Sequence, residues 1–180
     1  KIHLITERLI IDELTGNNLE FFLGIEQIEE NKRYEMTGVS DYISIVDKFN
    51  KFMNIRQKLP QDGGILFVVK SCSEIPMGYI TLMCNWEKTK EWELGYSFLP
   101  THLHKGYAYE SVLTVIRFAF EELKIHKLMA FVNAENIPSI KLLERLNMTK
   151  EGHMREARLI NGKWADEYVF AMIESDLTPS

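Results

Sequence analysis

Hydrophobic and polar positions alternate most cleanly over residues 91–98. Trp92, Leu94, Tyr96 and Phe98 fall on one side of an extended chain, and Glu93, Gly95 and Ser97 on the other. This predicts a strand with one apolar face in a core. A second face this small and polar points to a ligand or another backbone lying against it. From residue 108 the period changes. Ala108, Val112, Val115, Ile116, Ala119, Phe120 and Leu123 form one stripe, with Arg117, Glu121 and Glu122 opposite, which predicts a helix to about Lys124. Residues 128–132 are again a short apolar run. Strand, helix and strand in succession predict a parallel crossover.

The remaining pattern extends this frame in both directions. Residues 7–14 read as a first strand, broken by Gly16-Asn17-Asn18. Residues 18–31 read as a helix with Leu19, Phe22, Leu23, Ile25 and Ile28 inward. A second helix is expected over 41–58, carrying Tyr42, Ile45, Val46, Phe49, Phe52 and Met53 on one stripe. Ser40 is its expected N-cap, and Pro60 with Gly63-Gly64 its end. Residues 65–70 suit a central strand, and 77–84 pair back onto it after the turn at 73–76. Pro138 suits the first turn of a helix with Ile140, Leu143 and Leu146 buried, and Asn147 suits the left-handed position beyond it. Two last strands, 153–160 and 164–173, are joined by Asn161-Gly162, a strong hairpin signal. The order βααβββαβαββ predicts an α+β fold, a mixed central sheet flanked by helices. No repeat or linker interrupts it, so residues 1–180 read as a single domain.

Composition narrows the partners. Net charge is −5 over 180 residues with no Lys/Arg tract, which argues against nucleic acid and favours cationic ligands. Glu20, Glu26, Glu29 and Glu30 make the first helical segment acidic. It reads either as a solvated face or as part of a mouth for a cationic substrate. Cys72 and Cys84 form no disulfide framework, and residues 1–20 lack the basic start and cleavage site of a leader, so a cytoplasmic location is expected. No apolar run approaches the ~20 residues of a membrane helix, and no membrane partner is expected. A homodimer is compatible with the sequence, although no apolar patch is legible to specify it.

The candidate chemistry centres on residues 98–110, where the alternating strand runs through a turn at Lys105-Gly106 into the long helix. The first N–H groups of a helix have no intrahelical partner, and the helix dipole adds about half a positive charge. A glycine there lets backbone approach a ligand closely. The turn therefore reads as a diphosphate site. Gly106 stands without the glycine spacing of a dinucleotide fingerprint or a P-loop. His102-x-His104 has no further ligands nearby to complete a metal site, so no metal is expected.

Three stretches, Glu93-Leu-Gly-Tyr96, Leu103-His-Lys-Gly-Tyr-Ala-Tyr-Glu110 and Asn136-Ile-Pro-Ser139 with the Ile-Lys-Leu-Leu-Glu-Arg-Leu-Asn-Met148 that follows, resemble the GNAT superfamily of N-acetyltransferases. The nearest resemblance is to the branch of ribosomal-protein N-terminal (alanine/serine) acetyltransferases, whose first strand Thr6-Glu7-Arg8-Leu9 is similar to. The resemblance implies the GNAT fold and an acyltransferase with acetyl-CoA as cosubstrate. The partners it implies are a CoA thioester and an amine acceptor. It places the diphosphate on Leu103, His104, Lys105, Gly106, Tyr107 and Ala108, although Leu103 departs from the usual Gln/Arg at the first position. It implies a pantetheine arm between the strands ending at Phe98 and Val132, with Asn136 bonding the arm or the adenosine side and Ser139 near the sulfur. Glu93 is then the expected base, a backbone N–H near Leu94 to Tyr96 the oxyanion donor, and Ser139 the proton donor. The superfamily's usual acidic Tyr is replaced here by Leu143. The expected acceptor is a peptide or protein N-terminal amine. The alternatives are a polyamine, an aminoglycoside-like amine, or a non-catalytic acyl-CoA sensor.

Overall fold

The computed structural model describes residues 1–35, 40–59 and 63–179. The strands are β1 (His3–Ile5), β2 (Leu9–Glu13), β3 (Gly64–Ser71), β4 (Pro76–Trp86), β5 (Glu91–Phe98), β6 (Lys127–Asn133), β7 (Thr149–Ile160) and β8 (Lys163–Ile173). The helices are α1 (Leu19–Glu26), α2 (Glu29–Lys32), α3 (Tyr42–Ile55), α4 (Tyr107–Glu121) and α5 (Ile137–Arg145). The strands form one sheet in the order β1-β2-β3-β4-β5-β6-β8-β7. Among the described residues only β5 and β6 pair in parallel, across the α4 crossover, and the other neighbours are antiparallel. The α+β mixed sheet is therefore as expected, with one more short strand at the start.

Each face of the sheet has its own core. Leu9, Ile11, Phe67, Ile80, Leu82, Trp92 and Leu94 pack under α4 with Val112, Val115, Ile116 and Phe120. Leu66, Val68 and Tyr79 pack on the opposite face under α1 and α3 with Phe22, Ile25, Ile45 and Phe49. Near-continuous burial of 65–69 follows, since this strand meets a core on both sides.

Local signals explain most element ends. Asn161 and Gly162 take φ of 50° and 76°, as the tightest hairpin turn requires. Asn147 takes φ of 67° just past α5. Three readings need correction. The predicted helix over 18–31 is interrupted at Gln27 and Ile28 and becomes α1 and α2. The N-cap of α3 is Asp41, whose side chain accepts from the Ser44 N–H at 2.8 Å, and not Ser40. Tyr42, placed on the inward stripe, is 59% exposed because it sits at the first turn beyond the packed face. Pro60, read as a helix terminator, lies outside the described residues.

Candidate active site

The site begins with a defect in the sheet. β5 and β6 pair only at Glu91↔Lys127, Trp92↔Leu128 and Glu93↔Met129. Beyond that point β5 stays with β4 as far as Gly78↔Phe98, and β6 stays with β8 as far as Asn133↔Glu167. Each strand keeps its outer neighbour while their facing edges diverge. The result is a wedge walled by two supported strands, whose inner backbone groups have no partner strand.

At one end of the wedge the chain passes a 3₁₀ turn over Pro100–His102 and enters α4. Gly106 is the N-cap, with φ of 80°, and His104 has φ of 64°. With no side chain at the cap, the first N–H groups of α4 face outward unsatisfied. Leu103, His104 and Lys105 are exposed, and Tyr107 and Ala108 are partly buried. This is a cradle of backbone donors suited to an anion.

A strap from the N-terminus holds this turn. Arg8 donates from Nη1 to the Lys105 carbonyl at 2.9 Å and from Nε to Glu110 Oε2 at 2.7 Å. Its guanidinium lies 4.6 Å from the Tyr107 ring centroid. Thr6 Oγ1 donates to Glu110 Oε1 at 2.5 Å. Burial pushes the Glu110 carboxyl pKa up, but the Thr6 and Arg8 hydrogen bonds outweigh it and hold it below the usual range. Glu110, an acid in the first turn of α4, is thus also the anchor of the strap. Arg8 escaped the sequence reading because its partners lie about a hundred residues away; its place in the Thr6-Glu7-Arg8-Leu9 stretch was the available signal.

A Cβ at Gly106 would meet only the tip of the Arg8 side chain, Nη2 at 3.3 Å, so the left-handed backbone at φ of 80° dominates the cost there. Gly106→Ala is expected to cost ~1 kcal/mol of stability and, if the turn holds the diphosphate that the sequence resemblance implies, to weaken binding of that ligand several-fold with turnover nearly unchanged. Steady-state kinetics check this.

Glu93 lies on the sheet face under α1 and α3, at the last paired position before the wedge opens. Burial raises its pKa, and the negative charge of Glu167 adds to this. Asn85, which donates across a long 3.5 Å, and the charge of Arg158 pull the other way. Glu167 is buried, and its Oε1 stands 3.1 Å from Arg158 Nη2 in an ion pair without an aligned hydrogen bond. The small side of β5 is explained partly by packing. A Cβ at Gly95 would sit 2.5 Å from Thr81 Oγ1, and Ser97 Oγ accepts from Asn31 Nδ2 at 3.3 Å.

The other wall ends at α5. Asn136 is its N-cap, accepting from the Ser139 N–H at 3.3 Å. The hydroxyl of Ser139 lies 2.6 Å from Tyr96 Oη across the wedge. Tyr96 was read as a core aromatic alongside Trp92 and Phe98. Those two are buried at 8% and 7% exposure, but Tyr96 ends in a polar contact. Leu143 is buried and supplies no hydroxyl.

Of the glutamates in the acidic segment, Glu26 alone turns inward. Glu26 is 2% exposed and accepts from Lys32 Nζ and Lys48 Nζ, both at 2.7 Å, and from Tyr79 Oη at 2.6 Å. Glu20, Glu29 and Glu30 are exposed. Among the described residues no three His, Cys, Asp or Glu side chains converge as metal ligands, and no helix is long and apolar enough to cross a membrane.

Residues 8–149 match the family model of the acetyltransferase (GNAT) domain. The chain belongs to the GNAT acetyltransferase family. Its reaction is acetyl-CoA-dependent acyl transfer. The chain is 26% identical over 178 residues to the uncharacterized N-acetyltransferase YnaD of Bacillus subtilis, covering 97% of this chain and 99% of that one. It is 36% identical over 86 residues to the ribosomal protein uS5-alanine N-acetyltransferase of Escherichia coli, covering 48% of this chain and 44% of that one. Its fold matches the spermidine N-acetyltransferase of Vibrio cholerae solved with CoA and spermine. There the TM-score is 0.83 at 20% identity, over 95% of this chain and 98% of that one.

Proposed function

We propose that residues 1–180 act as one N-acetyltransferase domain that moves an acetyl group from acetyl-CoA to the α-amine of a peptide or protein. The observation that carries the reaction is the wedge beyond Glu93 and Met129, closed at one end by the Gly106 cradle. In this reading the diphosphate of CoA accepts from N–H groups at the start of α4, with Leu103, His104, Lys105, Tyr107 and Ala108 around it. The pantetheine arm lies between the walls, beside Phe98 and Asn136. Glu93 takes the proton from the amine, directly or through water, and a backbone N–H on the freed edge of β5 stabilises the oxyanion. Ser139 serves the departing sulfur.

Two features favour a peptide amine. The partial likeness to the uS5-alanine enzyme covers half of this chain. Glu26, the buried member of the acidic segment, is already matched by two lysines and has no charge left for a polyamine. A polyamine acceptor is the second reading, favoured by the exposed Glu29 and Glu30.

The test is a thiol-release assay with acetyl-CoA and three acceptors: a peptide beginning with Ala or Ser, spermidine, and kanamycin. Turnover is expected with the peptide. Turnover with spermidine alone replaces the acceptor assignment. Acetyl-CoA at about 100 times its Kd is expected to stabilise by ~2.7 kcal/mol, a Tm rise of roughly 5–10 °C for a chain of this size. Absence of any rise refutes the placement of acetyl-CoA in the wedge, whereas a rise with no turnover across a broad amine panel favours the sensor reading.

A further inference from the structure

Tyr96 and Ser139 sit 43 residues apart on opposite walls of the wedge, yet their oxygens are 2.6 Å apart. Tyr96 comes from the β5 face that carries the buried Trp92, Leu94 and Phe98, and its ring lies 6.3 Å from that of Phe98. The first turn of α5 fixes the Ser139 backbone, because Asn136 caps its N–H. What remains free is the direction of the Ser139 hydroxyl hydrogen, which rotates to suit its surroundings. A serine has one hydrogen to donate. If it points at Tyr96, nothing is left for a ligand in the wedge. If Tyr96 donates instead, the Ser139 hydrogen is released toward the cleft.

We infer that Tyr96 is a positioning residue, whose hydroxyl donates to Ser139 Oγ and so aims the Ser139 hydrogen at the thioester sulfur in the wedge. The inference rests on the acetyl-transfer reading and deepens it. It supplies from β5 the hydroxyl that Leu143 cannot supply from α5.

The chemistry decides between holding and relaying. Burial pushes the Tyr96 hydroxyl up to about 12, so it stays protonated and a donor at any working pH. A CoA thiol near an ordinary thiol value of about 8.5 is too weak a base to strip it, and full transfer is disfavoured by roughly a thousandfold or more. The proton therefore stays on Tyr96. As acetyl transfer completes, the C–S bond breaks and its electron pair stays on sulfur. The thiolate leaves hydrogen-bonded to Ser139, which keeps its own proton, as Tyr96 keeps its own. The amine proton goes to Glu93 and then to water, and the thiolate is protonated from solvent. The chain Tyr96–Ser139–sulfur acts by polarisation, each bond strengthening the next.

The experiment uses Tyr96→Phe, Ser139→Ala and the double variant. Tyr96→Phe keeps the ring and removes only the hydroxyl. Each single variant is expected to lower kcat by roughly 10- to 100-fold with the acetyl-CoA KM within about twofold. The double variant is expected to be no slower than the slower single, since both remove one chain. An acceptor-independent measurement compares CoA with desulfo-CoA by calorimetry at pH 7 and 9.5. Wild-type protein is expected to prefer CoA increasingly at the higher pH, where the thiolate forms. Both single variants are expected to lose that preference. A Tyr96→Phe protein that keeps the wild-type preference, or single effects that multiply in the double variant, overturns the inference while leaving acetyl-CoA binding and the acetyltransferase reading intact. Failure of wild-type protein to bind acetyl-CoA refutes both.

Discussion

Replacing Glu93 with Gln is expected to lower kcat by roughly 10²- to 10⁴-fold, the usual contribution of a positioned general base, with little change in the acetyl-CoA KM. The substitution keeps shape and an acceptor oxygen, and removes the negative charge together with the ability to take a proton. The pH profile carries the sharper test. The Glu93 carboxyl titrates above its ordinary 4.5, first because it is buried and then because Glu167 is near. Wild-type activity is therefore expected to fall on the acid side as Glu93 becomes protonated, and the residual Glu93→Gln activity to lose that limb. A Glu93→Gln enzyme with wild-type kcat and an unchanged acid limb would make Glu93 an edge carboxylate that is merely held by Asn85.

The same carboxyl makes a stability prediction of opposite sign, which separates loss of chemistry from loss of fold. A carboxyl whose folded pKa is raised binds its proton more tightly in the native state. Its contribution to stability is present below the unfolded value and is lost as pH rises through the folded one. At neutral pH the ionised, half-buried Glu93 is thus a cost. Glu93→Gln is expected to melt no lower than wild type at pH 7 while being nearly inactive. Sites that hold a group in an unfavourable environment for its chemistry commonly show this trade-off.

What the sequence disclosed and what it withheld divide by range of interaction. The alternation of β5, the crossover through α4 and the Asn161-Gly162 hairpin are written in neighbouring residues, and all three were legible. The divergence of β5 from β6 was implied by family resemblance, not by any local pattern, because it depends on each strand holding its outer neighbour. Arg8 with Glu110, and Tyr96 with Ser139, are pairings 102 and 43 residues apart, and a single sequence has no period that joins them. Tyr96 was assigned to the core because its alternation with Trp92 and Phe98 is correct. Its ring obeys that pattern, but its hydroxyl does not. Glu26 was misjudged for a related reason. It sits in a run of acidic residues that looks solvated, and only the arrival of Lys48 from α3 and Tyr79 from β4 shows that one member points inward.

That inward carboxylate carries a large expected effect on stability. Burial alone would raise the Glu26 pKa, but hydrogen bonds from Lys32, Lys48 and Tyr79 together hold it below the ordinary 4.5. Burial likewise opposes the charge on Lys32, and its pairing with Glu26 and Glu35 more than restores it. Removing one partner of a buried pair leaves an uncompensated charge, at about 3–5 kcal/mol. Glu26→Ala falls near the lower end, ~3 kcal/mol on that scale, because Lys32 retains Glu35 Oε2 at 3.1 Å. For a chain of this size that is a fall in Tm of roughly 6–12 °C. The pH signs follow from the two shifts. Glu26 adds stability above its unfolded value, and this is lost as pH falls through its lower folded value. Lys32 adds stability below 10.5, and this is lost as pH rises through its higher folded value. Melting curves between pH 3 and 11 should show Glu26→Ala losing most against wild type on the neutral plateau and converging with it at the acid end. A double change, Glu26→Leu with Lys32→Met, removes both charges and is expected to recover much of the loss, as apolar replacements of buried pairs often do. A Glu26→Ala protein melting within 2 °C of wild type at neutral pH would mean that water reaches Lys32 and the pair is not dry. The network also sits beside Asn31, which donates to Ser97 Oγ and to the Phe98 carbonyl at 3.1 Å, at the end of β5 beyond its last pairing with β6. Loosening it should therefore raise the KM of the amine acceptor more than that of acetyl-CoA, because the turn proposed to hold the diphosphate is fixed separately by Arg8 and Glu110.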